Sequence, residues 1–282
     1  MGKSVRLLKM DENGVVAFEK PIGVLSHPNK NDNGRSRLLA GIYNHTSEAY
    51  DLKTSEEDGK ISRMWLLNRI DFQTSGIVLG STNQIVAKEI KSLFKSRKVS
   101  KTYFAVVNGS LHILNNKKLQ QSIKNGLFVE WVDTMQTGRQ QDAGTLGEGI
   151  ARTKVRVITE NLRENSLLLE LHPSTGYKHQ LRYQCAIRGL PIVGDRLYGD
   201  FHLNKMLRKI SPTNNAIIKV NNNNNGLSSE DDDDDNNTNN SSNRLYLHSS
   251  SLDMKYKYRH AWWHFSVESP IPETFLRIVG QH

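Results

Sequence analysis

Asn68-Arg69-Ile70-Asp71-Phe72-Gln73-Thr74-Ser75-Gly76 is the stretch on which the fold turns. The apolar run Met64–Ile70 leads into it, and Ile77–Leu79 leaves it as a buried strand. An Arg two residues before an Asp, followed by Thr-Ser-Gly and an apolar run, makes a polar loop seated against a core element. Such loops hold catalytic groups on a rigid scaffold. The same residues also fit an Asx- or Ser/Thr-type turn in which Asp71 and Ser75 satisfy the backbone. Spacing alone favours the turn.

Outward from that loop, strands dominate. Val15–Glu19 is a short β-branched and aromatic run closed by the turn Lys20-Pro21-Ile22-Gly23. Residues 29–37 and 51–60 are polar loops, with a short helix expected over Leu38–Tyr50. Asn83–Arg97 reads as an amphipathic helix, with Ile85, Ile90, Leu93 and Phe94 at helical spacing and Lys88, Lys91 and Lys95 facing out. Thr102–Val107 is a strand ending at the turn signal Asn108-Gly109, and Val129–Val132 is another. Asp133–Gly149 is polar and Gly-rich and predicts a long loop. Thr153–Thr159 and Ser166–Leu171 are strands around a turn at Asn161–Asn165. Lys178–Arg188 is a helix stopped by Gly189 and Pro191. Leu245–His248 is a late strand, and no internal repeat is visible.

Asn221–Asn243 is a low-complexity tract of Asn, Asp and Ser that buries too little apolar surface to offset its ordering entropy. Core-like sequence resumes after it, so it reads as a disordered insertion within a single domain spanning residues 1–282. The tract lowers the hydrophobic share to 37% and masks the charge balance. Setting aside its six acids takes the net charge from +9 to +15. That surplus predicts a polyanionic partner, because Lys and Arg neutralise phosphates and release their counterions. The lone Cys185 excludes an intrachain disulfide and a cysteine-based zinc site, and it reads as a small core residue. No apolar run is long enough to span a membrane. Residues 1–10 carry Lys3, Arg6 and Lys9 among apolar residues, which fits either a short basic targeting segment or the first strand.

Two further constellations carry chemistry. Lys101-Thr102-Tyr103 starts a strand and offers a flat ring with a hydroxyl, which is also what a half-buried strand aromatic looks like. Pro173-Ser174-Thr175-Gly176-Tyr177-Lys178-His179-Gln180-Leu181-Arg182 opens a helix after a strand and crowds polar groups where a helix start favours anions. His179 lacks clustered ligand partners, so it reads as a hydrogen-bonded histidine rather than a metal ligand.

Taken in order, these stretches resemble the RluA-type pseudouridine synthases. Asn68–Gly76 resembles that family's His-Arg-Leu-Asp-x-x-Thr-Ser-Gly, and Lys20–Gly23 its Lys-Pro-x-Gly turn. Lys101–Tyr103 with Gly109 is similar to its Lys-x-Tyr strand, and Thr175–Arg182 to its Thr-Gly-Arg-x-His-Gln-Ile/Leu-Arg. Gly189–Gly199 matches its Gly-x-Pro-Ile-x-Gly-Asp-x-x-Tyr-Gly run, and Leu245–His248 its late Leu-x-Leu-His strand. One short motif carries little weight; six in order, over roughly residues 15–280, carry much.

The resemblance implies a mixed α/β fold of the α+β kind, with a large bent, mostly antiparallel sheet and flanking helices. It implies an isomerase that detaches a uracil from its ribose in structured RNA and rejoins it through C5. Asp71 is then the catalytic carboxylate, acting at the ribose C1′ or on the base. Arg182 pairs with it and orients it, and Tyr103 stacks on the uracil, its hydroxyl placed to serve proton transfer at C5 or the sugar. Arg69 enters the stack vacated by the flipped base. Leu181 walls the pocket, and Lys178, His179 and Gln180 contact RNA. Two departures, Asn68 for His and Tyr177 for Arg, bear on RNA contacts more than on chemistry. No metal, organic cofactor or membrane is implied, and the enzyme is expected to be a monomer. Ribosomal RNA is favoured over transfer RNA as substrate, in a mitochondrial setting, with a cytoplasmic or nuclear one the alternative. Two other readings compete: a non-catalytic RNA-binding or assembly protein on the same fold, and a hydrolase using Asp71 and His179.

Overall fold

The computed structural model describes residues 4–28, 36–53, 61–111, 120, 125–141, 145–199 and 244–281. The Asn221–Asn243 tract lies outside these residues. The described chain forms β1 (Arg6–Met10), β2 (Val15–Lys20), β3 (Ile42–Asn44), β4 (Ala49–Lys53), β5 (Ile61–Leu66) and β6 (Ser75–Ser81). Helix α1 (Gln84–Lys95) precedes β7 (Ser100–Asn108), β8 (Val129–Gln141), β9 (Thr145–Asn161) and β10 (Ser166–Pro173). Then come α2 (Gln180–Ala186), β11 (Leu247–Tyr258), β12 (Ala261–Glu268) and α3 (Glu273–Ile278).

All twelve strands join one strongly curled sheet, in the order β3-β4-β5-β6-β11-β7-β10-β9-β8, with β1–β2 added on β6 and β12 on β11. Every pairing is antiparallel except β6 with β11. The expected mixed, mostly antiparallel sheet with flanking helices is therefore what the chain forms. The parallel join is short, His248 opposite Ser75 and Ser249 opposite Gly76. It brings the end of the Asp71 loop against the late strand.

Strand periodicity explains the layers. On β2 and β6 alternate residues point to opposite faces. Val15, Ala17, Ile77 and Leu79 pack with α1 through Val86, Ala87, Ile90 and Leu93. Val16, Phe18 and Val78 pack on the other face with Leu38, Tyr50 and Met64. Both faces are covered, so all seven residues of β6 are buried. β10 behaves alike. Leu167, Leu169 and Leu171 meet Leu181 and Cys185 of α2, while Leu168 meets Phe275 of α3.

Helix α1 starts where Asn83 accepts the Ile85 and Val86 backbone N–H groups at 3.0 and 3.4 Å. Its buried face is Val86, Ala87, Ile90 and Leu93, and Ile85 faces solvent. Two expected elements differ. Leu38–Tyr50 is not a helix but carries β3, a turn and the start of β4. The Asn44 side chain accepts the Thr46 and Ser47 N–H groups, both at 3.0 Å, and this Asx turn reverses the chain. Asp133–Gly149 is not a loop, because β8 and β9 stay paired from Val129 opposite Val155 out to Gln141 opposite Thr145. Of the N-terminal ten residues, Arg6–Met10 are strand, paired with β2.

Candidate active site

The loop between β5 and β6 is fixed from below by a lysine. Lys20 is fully buried, and its ammonium donates to the backbone carbonyls of Pro21 (3.0 Å), Val24 (2.8 Å) and Phe72 (3.2 Å). Burial pushes its pKa down to about 7, and the nearby Asp71 charge works against that shift. Three carbonyl acceptors match the three N–H donors of the charged form. Ser26 adds a second tie, donating to the Ile70 carbonyl at 3.0 Å. Asn68 adds a third, accepting the Leu79 N–H at 2.7 Å. The residue that departs from the expected His thus holds the loop to β6.

These ties free the Asp71 carboxylate. The turn closes through the Asp71 backbone carbonyl, which accepts the Thr74 N–H at 3.0 Å. Among the described residues the carboxylate itself accepts no hydrogen bond, so the Asx-turn reading of Asp71 is not the structure's answer. It is 31% exposed and faces a cleft of about 670 Å³. Arg182 Nη1 and His179 Nε2 lie 3.9 and 4.0 Å from its Oδ2.

Arg182 was expected to pair with Asp71, and the structure gives it a stronger partner. Its Nε and Nη2 donate to the two carboxylate oxygens of Asp195 at 2.8 and 2.9 Å. Asp195 is fully enclosed and also accepts the backbone N–H groups of Leu197 (3.0 Å) and Tyr198 (2.9 Å). The bidentate fork fixes the guanidinium plane. The remaining Nη1 is the atom nearest Asp71. The Tyr198 ring lies beneath the guanidinium, 5.4 Å from its carbon, and the Tyr198 hydroxyl meets His179 Nδ1 at 3.4 Å. Asp195 and Tyr198 sit in the Gly194–Gly199 stretch, whose spacing alone assigned neither a partner.

Tyr103 comes from β7, opposite Leu171 of β10 and Ser249 of β11, and lines the same cleft. Burial raises its hydroxyl pKa to about 12; Ser249 works against the shift and the Asp71 charge adds to it. At neutral pH the hydroxyl keeps its proton.

Leu181 and Arg69 line the cleft, Leu181 buried and Arg69 exposed. Gln180 is buried in a polar network. It accepts the Thr175 hydroxyl at 2.8 Å and donates to Thr153 at 3.0 Å, which sets the loop ahead of α2. His179 starts α2 with φ +55°. Lys178 is exposed and stands apart from the cleft lining. The structure therefore brings together Asp71, Tyr103, Arg182, Arg69, Leu181, His179 and Gln180, and leaves Lys178 outside. Cys185 is buried, its thiol pKa pushed up to about 12 by that burial, which suits a packing role. Among the described residues no cluster of His, Cys, Asp or Glu is placed to hold a metal ion.

A carboxylate that accepts no hydrogen bond among the described residues, a clamped arginine beside it and a protonated phenol facing one cleft can hold a planar base and act on its sugar. The RNA pseudouridylate synthase family matches this sequence over residues 14–187. tRNA pseudouridine synthase C of Vibrio vulnificus is 31% identical over 196 residues, 69% of this chain and 74% of that protein. The dual-specificity RNA pseudouridine synthase RluA of Haemophilus ducreyi is 26% identical over 203 residues, 71% of this chain and 79% of that protein. Ribosomal large subunit pseudouridine synthase D of Borreliella burgdorferi is 28% identical over 202 residues, 71% of this chain and 56% of that protein. The fold is that of human RNA pseudouridylate synthase domain containing 4, at a TM-score of 0.57 and 18% identity, covering 97% of this chain and 92% of that one.

Proposed function

Since the chain belongs to the RNA pseudouridylate synthase family and is an isomerase acting on RNA, we propose that Asp71 is its nucleophile, Arg182 its orienting cation and Tyr103 the platform for the target uracil. The observation that carries this is the Asp71 carboxylate. It is held in a cleft by backbone ties, accepts no hydrogen bond among the described residues, and lies 3.9 Å from a clamped guanidinium.

The reaction breaks the bond from uracil N1 to the ribose C1′, turns the base and joins C5 to C1′. N1 gains a proton and C5 loses its hydrogen. Asp71 attacks C1′ and forms a bond to it as the N1–C1′ bond breaks, and that bond breaks in turn when C5 joins C1′, which returns the free carboxylate. Arg182 keeps the carboxylate aimed, and Asp195 holds Arg182. Tyr103 supplies a flat face for the turning ring, and its protonated hydroxyl is a hydrogen-bond donor rather than a base. Leu181 is an apolar wall that keeps water from the detached base. Arg69, at the open side of the cleft, takes the place of the flipped nucleotide in the RNA stack. His179 and Gln180 shape the wall, and Lys178 contacts RNA outside the cleft.

Ribosomal RNA in mitochondria is the target proposed, acted on by a monomeric single-domain enzyme. Transfer RNA is the second reading, supported by the similarity to tRNA pseudouridine synthase C of Vibrio vulnificus. Separate pools of large-subunit ribosomal RNA and transfer RNA, each carrying 5-tritiated uridine, decide between them. The proposal expects tritium release from the ribosomal pool; release from the transfer RNA pool alone overturns it.

A further inference from the structure

Helices α1 and α2 end in the same backbone motif but with different residues at its critical position. After α2 the Leu190 N–H bonds the Cys185 carbonyl and the Gly189 N–H bonds that of Ala186. Gly189 takes the left-handed conformation between them, φ +70°. After α1 the Lys98 N–H bonds the Leu93 carbonyl at 2.9 Å and the Arg97 N–H bonds that of Phe94 at 3.1 Å. Here the left-handed residue is Arg97, φ +61°. Glycine is the residue this position favours, and a side chain there is held against a steric cost. A strained residue that persists points to a use.

The Arg97 side chain does nothing for the fold that the structure shows. It is exposed, and among the described residues its guanidinium makes no ion pair or hydrogen bond. It does line the cleft that holds Asp71, together with Phe94, Lys95 and Lys101. Lys95 is likewise exposed and unpaired among the described residues. Lys101 spends one donor on the Thr175 carbonyl at 2.7 Å, which ties this rim to the loop ahead of α2. Phe94 is half-buried, packed against the core beneath α1, and lines the same cleft. A basic edge interleaved with an aromatic ring is what a single strand needs: phosphates meet the cations and a base meets the ring.

We propose that the turn from Phe94 to Lys101 is a phosphate-tracking rim for single-stranded RNA. Arg97 holds a backbone phosphate of the strand that delivers the target nucleotide, and does so at the expense of fold stability. The inference rests on the RNA-substrate reading above and adds to it a binding site and the path of the strand.

The test replaces Arg97 with the two residues that tolerate this backbone best, Arg97→Gly and Arg97→Asn, beside the charge-retaining Arg97→Lys. Binding is followed by anisotropy of a labelled single-stranded oligouridylate over a series of potassium chloride concentrations, and melting is followed on the same preparations. Both neutral variants are expected to melt at or above the wild-type temperature. Both should bind at least about threefold more weakly, with the slope of log affinity against log salt shallower by about 0.7, one phosphate contact on a single strand. Arg97→Lys should keep the wild-type slope. Unchanged affinity and slope in the neutral variants overturns the proposal. So does a fall in melting temperature in both of them that accompanies weaker binding, because Arg97 would then be structural. Tritium release by the wild type, measured in parallel, reports the reaction itself, so failure of the rim and failure of the synthase reading are told apart.

Discussion

Asp195→Ala should be more damaging to stability than loss of the carboxylate it serves. Asp195 is fully enclosed and Arg182 is 8% exposed, so the substitution leaves a nearly buried guanidinium without its bidentate acceptor. Removing one partner of such a pair costs about 3–5 kcal/mol. For a chain of this size that is a fall in melting temperature on the order of 10 °C. Two backbone N–H groups, Leu197 and Tyr198, lose their acceptor as well. Urea denaturation at constant slope measures the loss, and the cycle Asp195→Ala, Arg182→Met and both together isolates the pair. A coupling of about 2 kcal/mol or more is expected. Activity should fall in Asp195→Ala even well below its melting midpoint, since Arg182 is no longer aimed at Asp71. A coupling under about 1 kcal/mol, or full tritium release by the folded variant, refutes the claim that Asp195 sets the guanidinium.

Three further outcomes follow from the geometry. His248 is buried between Ser75 (2.9 Å) and Ser269 (3.0 Å), and burial pushes its pKa from 6.5 to about 4, with Glu19 opposing. Its contribution to stability is complete above pH 6.5 and is lost as pH falls towards 4, on the order of 3 kcal/mol in all. Urea titrations of wild type and His248→Gln across that window should show the flatter dependence in the variant. Gly76 has φ +110°, and a Cβ there would run into the Ser249 carbonyl of β11, so Gly76→Ala should cost about 2–5 kcal/mol by thermal melting and displace the Asp71 loop with it. Tyr103→Phe keeps the ring and should leave the shape of the neutral pH–rate profile unchanged, because the hydroxyl holds its proton to about pH 12. Tyr103→Leu removes the stacking face, worth about 1–3 kcal/mol per base, and should be the poorer enzyme in single-turnover assays.

The elements with one strong pattern were legible before folding. The apolar run of β6, the Asn83-capped helix α1 and the turn at Asn161–Asn165 each declare themselves within a few residues. Beyond its expected start at Val129–Val132, β8 does not, nor does the outer part of β9. Their inward face is buried, but Asp133 and Gly149 interrupt it while Val132 and Ile150 sit on the exposed face, so the sequence shows no clean apolar alternation. The β3–β4 hairpin was hidden because Leu38, Leu39 and Tyr43 fall at helical spacing, while the reversal rests on a single Asn44 side chain. In the site, the order of motifs pointed to Asp71, Tyr103 and Arg182 together. The Lys20 carbonyl cage and the Asp195 clamp escaped it, because each depends on partners that only the folded chain brings close.

Tritium release from RNA carrying 5-tritiated uridine, with wild type beside Asp71→Ala, tests the central claim most directly. Asp71 is partly exposed and its carboxylate accepts no hydrogen bond among the described residues, so the variant should fold and bind RNA as the wild type does. Forming the new bond at C5 expels the label, so release reports the isomerisation itself. Release by the wild type and none by Asp71→Ala is the predicted result. Release by a folded Asp71→Ala would contradict the assignment of Asp71 as nucleophile.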